Sequence, residues 1–132
     1  MIILIDTTRW NDIRVGAAMK KVLTLHRTYD RPGSHLVPLL DEFLKQHRLR
    51  VRQATAIFVA TGPGPFSAIR SGVSVANALG LALSVPVVGV AGALTMSQLL
   101  KLGRAKLPRA KVGVTVVPTY GRPPNITPAK KK

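Results

Sequence analysis

Between residues 56 and 90 the chain is apolar for the length of a strand, breaks on Thr61-Gly62-Pro63-Gly64-Pro65, and turns apolar again for a helix and a second strand. The run AIFVA at 56–60 has no polar alternation, so as a strand it must be covered on both faces, the condition of a parallel sheet. A helix from Phe66 or Ser67 to about Ser84, then Pro86 and a strand over 87–90, completes a strand-helix-strand unit. This segment commits the chain to an α/β fold.

The flanking sequence adds elements to that unit. Residues 2–5 form a short β-branched run, Trp10-Asn11-Asp12 supplies turn residues, and 13–19 and 22–28 are two further strand candidates. So little chain separates these three that an antiparallel meander is the economical pairing. Leu36, Leu39, Leu40, Phe43 and Leu44 fall at helical spacing after Ser34, a candidate N-cap, and predict a helix ending near Arg48. Pro38 sits in its first turn, where the missing amide hydrogen costs little. Residues 94–102 predict a third helix and 112–117 a last strand. The order β-β-β-α-β-α-β-α describes one lobe over 1–117, and 118–132, with its prolines and terminal lysines, reads as an extended basic tail.

No charged residue occurs between Arg70 and Lys101. Such a stretch raises the question of a membrane span, but Ser74, Asn77 and Ser84 interrupt it and Pro86 splits it into helix and strand, which favours a buried core. The start MIILIDTTRW lacks the basic stretch and cleavage pattern of a signal peptide, and there is no cysteine, so a cytoplasmic protein without disulfides is expected.

Charge narrows the chemistry. Twenty Lys and Arg against five acids give a net charge of +15, and every acid precedes Phe43. A catalytic pair of carboxylates or a carboxylate-rich metal site has to come from the first third of the chain, which weakens most enzyme readings. The excess favours an acidic or nucleic-acid partner, or it serves solubility alone. His26, His35 and His47 lack the spacing that presents two nitrogens to one metal, so no metal site and no cofactor are expected.

Two surfaces remain as candidates. The segment TGPGPFSAIRSG at 61–72 is a strand end, a glycine-rich turn and a helix start, a geometry that holds an anion on free backbone amides. Asp6, Thr8, Gly62, Gly64, Ser67 and Arg70 are its candidate anion-facing or nucleotide-facing residues. The segment matches neither a Walker loop nor a dinucleotide fingerprint, and a tight turn for close packing is the competing reading. An acid that merely ends the first strand and bonds loop amides competes likewise at Asp6. The second helix is apolar or small all round and must be covered on more than one side, leaving a strip that needs a partner unless the third helix or the tail covers it.

Residues 56–90 resemble the signature of the TsaB family, the dimerisation subunit (YeaZ-like) of bacterial tRNA threonylcarbamoyladenosine biosynthesis. Gly62, Pro63, Gly64, Phe66, Arg70 and Gly72 match its GPGSFTGLRIG-like pattern in register. IDTT at 5–8, SHLVPLLDEFL at 34–44 and YGRPPNIT at 120–127 are similar to further family segments in the same order. Pro65, Ser67 and Ala68 depart from it, and only residues 101–111 stand where the family carries a second actin-like lobe.

The resemblance implies a ribonuclease-H-like, actin-like lobe with a mixed sheet. It further implies a non-catalytic subunit of the complex that modifies adenosine 37 of tRNA, bound to the TsaD catalytic subunit through its first two helices. Leu36, Leu39, Leu40, Phe43, Ser74, Asn77, Ala78 and Leu81 are then the expected partner face. A TsaE-like ATPase, a second copy of the chain, and tRNA reached through the basic tail are further expected partners. The rival readings are an actin-like ATP-binding enzyme or hydrolase fragment acting at Asp6 and the Gly62 to Ser67 loop, and a small nucleic-acid-binding protein. With 5% aromatics, the latter is poorly supplied for base stacking.

Overall fold

The structure is a computed structural model. It describes residues 1–119 except Lys21, Gly33, Ser34 and Ala93. Three strands open it: β1 (Ile2–Arg9), β2 (Asp12–Met19) and β3 (Val22–Tyr29). Helix α1 (Leu36–Gln46), strand β4 (Ala56–Gly62), helix α2 (Phe66–Leu83), strand β5 (Val87–Ala91) and helix α3 (Met96–Lys106) follow. The five strands form one sheet in the order β3-β2-β1-β4-β5.

The pairing follows the sequence pattern. β1 runs antiparallel to β2, with Ile3 opposite Ala17, and β2 antiparallel to β3. β1 and β4 are parallel, with Ile3 opposite Ile57, as are β4 and β5. All seven residues of β4 are buried, because this central strand has helices on both faces. Side chains alternate across the sheet. Ile3, Ile5, Ile57 and Val59 point to a core closed by Leu36, Leu40, Phe43 and Leu44 of α1 and Ile69, Val73 and Ala76 of α2. Ile2, Leu4, Phe58, Ala60, Val88 and Val90 point the other way, under Met96, Leu99 and Leu100 of α3. The chain is thus three layers, with α1 and α2 on one face of the sheet and α3 on the other.

Helix α2 is long and apolar enough to cross a membrane by length and composition. It instead lays Ile69, Gly72, Val73, Ala76 and Gly80 on the sheet, and Ser84 in the left-handed region at φ 56° stops it.

Several expected boundaries shift. β1 extends past Ile5 to Arg9. Ser34 lies outside the described residues, and the N-cap of α1 is His35, whose side chain makes no capping bond. Helix α3 starts at Met96 rather than Leu94 and runs past Leu102 to Lys106. Thr95 and Gln98 close a reciprocal capping box at its start: the Thr95 hydroxyl accepts from the Gln98 amide at 3.1 Å, and the Gln98 side chain accepts from the Thr95 amide at 2.8 Å. No proline intervenes before Pro108, and Gly103 within the helix is tolerated where α3 packs on Phe58.

The strand expected over 112–117 is not one. Residues 110–119 carry no helix or strand, with Val112, Val114 and Val117 exposed. Val116 spends its backbone groups on a side chain: Asn77 Nδ2 donates to its carbonyl at 2.9 Å, and its amide donates to Asn77 Oδ1 at 2.9 Å. The Thr119 amide then donates to the Thr61 carbonyl at 2.7 Å, so attachment to the lobe continues beyond residue 117. The rest of the expected tail, with YGRPPNIT and Lys130 to Lys132, falls on residues 120–132, outside those described.

Candidate functional site

The end of β1 and the turn after β4 meet at the edge of the sheet. Asp6 is buried at 1% exposure, and its carboxylate is enclosed by this chain's own donors. Arg14 donates to Oδ2 through Nε at 2.9 Å and through Nη2 in a second, shorter bond. The Thr8 amide and hydroxyl donate to Oδ1 at 2.8 and 2.5 Å. Arg14 Nη2 also donates to the Leu94 carbonyl, tying the start of α3 to the same knot. A carboxylate with both oxygens occupied by a forked guanidinium and a local turn is a structural clamp. It has no lone pair directed at a ligand.

The glycine-proline turn packs down on this knot. A Cβ on Gly64 would stand 2.2 Å from the Thr8 carbonyl oxygen, and one on Gly72 would stand 2.3 Å from Thr7 Oγ1, whose hydroxyl donates to the Ala68 carbonyl at 2.6 Å. Gly64 and Gly72 therefore serve close approach of loop and helix to β1, while Gly62, at φ 123°, turns the chain against Thr119. A cleft of about 370 Å3 remains beside them, lined by Thr8, Arg9, Arg14, Pro63, Leu94 and Thr95.

Of the six residues expected to face an anion, Thr8 alone lines that cleft. Gly62 and Gly64 shape the turn next to it, and Asp6 is sealed beneath. Ser67 and Arg70 lie on another surface: they line a shallow depression with Ser71 and Ser74 on the outer side of α2, where the Arg70 guanidinium lies 5.2 Å from the Phe66 ring centre. A residue at the first turn of a helix can point away from the turn that precedes it, which spacing along the chain does not reveal.

The second surface is the outer side of α1 and α2. The expected partner face divides by burial. Leu36, Leu40 and Phe43 are 1%, 5% and 0% exposed and belong to the core, a correction with a plain cause: the periodic apolar stripe of α1 faces its own sheet. Leu39 is half-buried against the same core. Asn77 is half-buried and engaged with Val116. Ser74, Ala78 and Leu81 are exposed. The structure adds residues the periodicity passed over. Val37 and Phe66 are more than half exposed, and Val75 and Leu79 of α2 line, with Val37 and Leu40 of α1, an apolar groove of about 170 Å3. The signal for Val37 was available, since an apolar residue beside a helix's core stripe widens its greasy face toward solvent.

The histidines stay apart, His26 on β3 and His35 and His47 at the two ends of α1, where the His47 ring meets that of Phe43 at 4.9 Å. Among the described residues no group of three His, Cys, Asp or Glu side chains stands together as a metal site.

Three antiparallel strands leading into helix-linked parallel strands, with two helices on one face and one on the other, define a ribonuclease-H-like lobe of the actin-like class. The family described as "TsaD: tRNA N6-adenosine threonylcarbamoyltransferase" matches residues 33–113, more than half of the chain, and the chain belongs to that family.

The similarity to TsaB read from the motifs holds. The chain is 27% identical over 89 residues to the tRNA threonylcarbamoyladenosine biosynthesis protein TsaB of Escherichia coli, covering 67% of this chain and 36% of that protein. It is 32% identical over 91 residues to a tRNA N6-adenosine threonylcarbamoyltransferase of Anoxybacillus flavithermus, covering 67% of this chain and 25% of that one. The solved structure of YeaZ from Pseudomonas aeruginosa superposes with a TM-score of 0.61 at 24% identity, over 68% of this chain and 43% of that one. The chain thus spans less than half the length of these relatives.

Proposed function

We propose that this chain is a subunit of tRNA threonylcarbamoyladenosine biosynthesis that catalyses nothing itself and docks a TsaD-like catalytic subunit through the outer face of α1 and α2. The observation that carries the docking is the apolar surface left open on these two helices, with Val37 58% exposed at the groove between them and Leu81 60% exposed on the outer side of α2. An apolar surface of this kind on a small lobe favours a protein partner. Ser74, Ala78 and Leu81 form the α2 side of the contact, Val37 and the edge of Leu39 the α1 side.

The names of the relatives support the pathway, and the likeness to both TsaB and TsaD proteins supports a partner within it. The enclosure of Asp6 by Arg14 and Thr8 supports an accessory role over a catalytic one, because an acid held in four hydrogen bonds offers nothing to a nucleotide or metal. A TsaE-like ATPase is a further partner on this reading, and a second copy of the chain is the rival occupant of the same face.

The test is light scattering and affinity capture with a TsaD-like subunit. Ala78→Arg and Leu81→Asp, both at exposed positions that spare the core, should abolish the heterodimer while leaving the circular dichroism unchanged. Undiminished capture by both variants refutes the docking face. Calorimetry with ATP and magnesium tests the actin-like ATP-binding reading: one-to-one binding by the isolated chain would favour it.

A further inference from the structure

Across the sheet from the docking helices, α3 and the edge strand β3 enclose a wide groove of about 790 Å3, floored by Leu23 and Leu100 and walled by His26, Lys101 and Arg104. Arg104 donates to the Lys20 carbonyl at 2.8 Å, which ties the end of β2 to the helix. Lys106, Arg109 and Lys111 continue the positive sequence from the end of α3.

What sets this groove apart is the absence of any counter-charge. β3, α3 and the 3-10 turn Leu107–Arg109 that follows contain no acid. The ion pairs Arg14–Asp6, Arg9–Asp12 and Lys45–Asp41 lie elsewhere, and among the described residues no carboxylate pairs with Lys101 or Arg104. The cleft near Asp6 also presents arginines, but Arg9 and Arg14 are already paired. The groove beneath the end of α1 has Lys45, Arg48 and Arg50, yet Asp41 stands in its lining. Arg48, Arg50 and Arg52 beyond α1 are likewise without a carboxylate partner among the described residues, but Lys101 and Arg104 line a concave surface that holds no acid, where a charge of one sign focuses its field.

We propose that the α3–β3 groove binds the phosphodiester backbone of RNA. Lys101 and Arg104 are three residues apart on α3 and so share one side of the helix. A lysine point charge and an arginine fork are the side chains that take phosphate oxygens. The lining contains no Phe, Tyr or Trp and its one ring is the His26 imidazole, so the contact is chiefly to phosphates and reads little sequence. Because the sheet separates this groove from the α1–α2 face, one lobe can hold RNA and a protein partner together. The choice of RNA over an acidic protein rests on the function proposed above.

The test measures anisotropy of labelled, unmodified tRNA titrated with the full chain at 50 to 200 mM salt. Lys101→Gln/Arg104→Gln removes two phosphate contacts and should make the log–log salt slope shallower by about 2, so affinity falls about ten-fold less across that range than for the parent. Arg48→Gln/Arg52→Gln loses the same charge beyond the far end of α1 and should leave the slope unchanged. Equal slopes for the two double variants overturn the proposal, as does the absence of tRNA binding by the parent at 50 mM salt. Competition by polyglutamate as effective as by RNA also overturns it, in favour of an acidic protein. Capture of a TsaD-like subunit, run on the same variants, should be untouched by either pair. Failure of that capture in the parent alone would sink the docking reading and leave the slope result standing.

Discussion

Replacing Asp6 by asparagine separates a structural acid from a functional one. The side chain keeps its shape and can still accept from the Thr8 amide, but the charge that neutralises Arg14 is gone. The Arg14 side chain is 12% exposed and Asp6 1%, so the orphaned guanidinium keeps little water and only the Leu94 carbonyl as partner. Breaking a buried ion pair from one side costs about 3–5 kcal/mol, and the residual exposure of Arg14 points to the lower end, about 3 kcal/mol. Against a total stability of about 5–15 kcal/mol for a domain, this is a large fraction. For a chain of this size it lowers Tm by about 10–15 °C.

Urea unfolding followed by circular dichroism measures it directly, with m unchanged. Asp6→Asn/Arg14→Met should recover about 1–2 kcal/mol of the combined single losses, since neither charge is then stranded. Added salt should alter the wild-type value little, because a buried pair is weakly screened. A loss below about 1 kcal/mol in Asp6→Asn, or a gain, would refute the clamp: residues kept for ligand chemistry commonly stabilise a fold when replaced.

Further outcomes follow from single contacts. The Tyr29 hydroxyl is buried without a hydrogen-bond partner, so Tyr29→Phe should be neutral or up to about 1 kcal/mol more stable on denaturant unfolding. Burial pushes the Tyr29 phenol above its ordinary value of 10.0, against an opposing pull from Arg27. The unfolded chain therefore gives up this proton first; the stability it contributes is whole below pH 10 and drains away as pH rises through the folded-state value, a slope that Tyr29→Phe should remove. Gly103→Ala would put a methyl carbon 2.3 Å from the Phe58 ring and force α3 outward, a loss of about 1–3 kcal/mol on the same assay. Asn77→Ala should cost about 1 kcal/mol and abolish hydrogen-exchange protection at the Val116 amide while leaving that of β4 intact.

How far the sequence could be read differs between fold and site. Element order was legible because apolar periodicity is a local signal: AIFVA is a strand covered on both sides wherever it is placed, and the α1 stripe is a helix face. The start of α3 was legible in principle, in the Thr95–Gln98 box. The strand expected over 112–117 failed because alternation of valines shows what a segment prefers and not whether a free edge lies beside it. Here Asn77, from a helix, takes the Val116 backbone groups that a neighbouring strand would have taken.

The site was less legible for a related reason. The spacing of Leu36, Leu40 and Phe43 marks a shared side of a helix, and the side a helix shares most strongly is the one turned to its own core. Ser67 and Arg70 follow the glycine turn in sequence yet face outward from α2. Arg14 holds Asp6 from the neighbouring strand, a pairing set by the register of β1 with β2.

The sequence by itself determined the α/β class, the order of the elements and the excess of positive charge, since these depend on residue type and short-range period. Tertiary structure decided that Asp6 is enclosed, that the apolar surface left over is Val37 and Leu81 rather than the main stripe, and that Lys101 and Arg104 line a groove without an acid between β3 and α3. Burial and charge pairing are properties of which distant segments meet, and no local pattern encodes them.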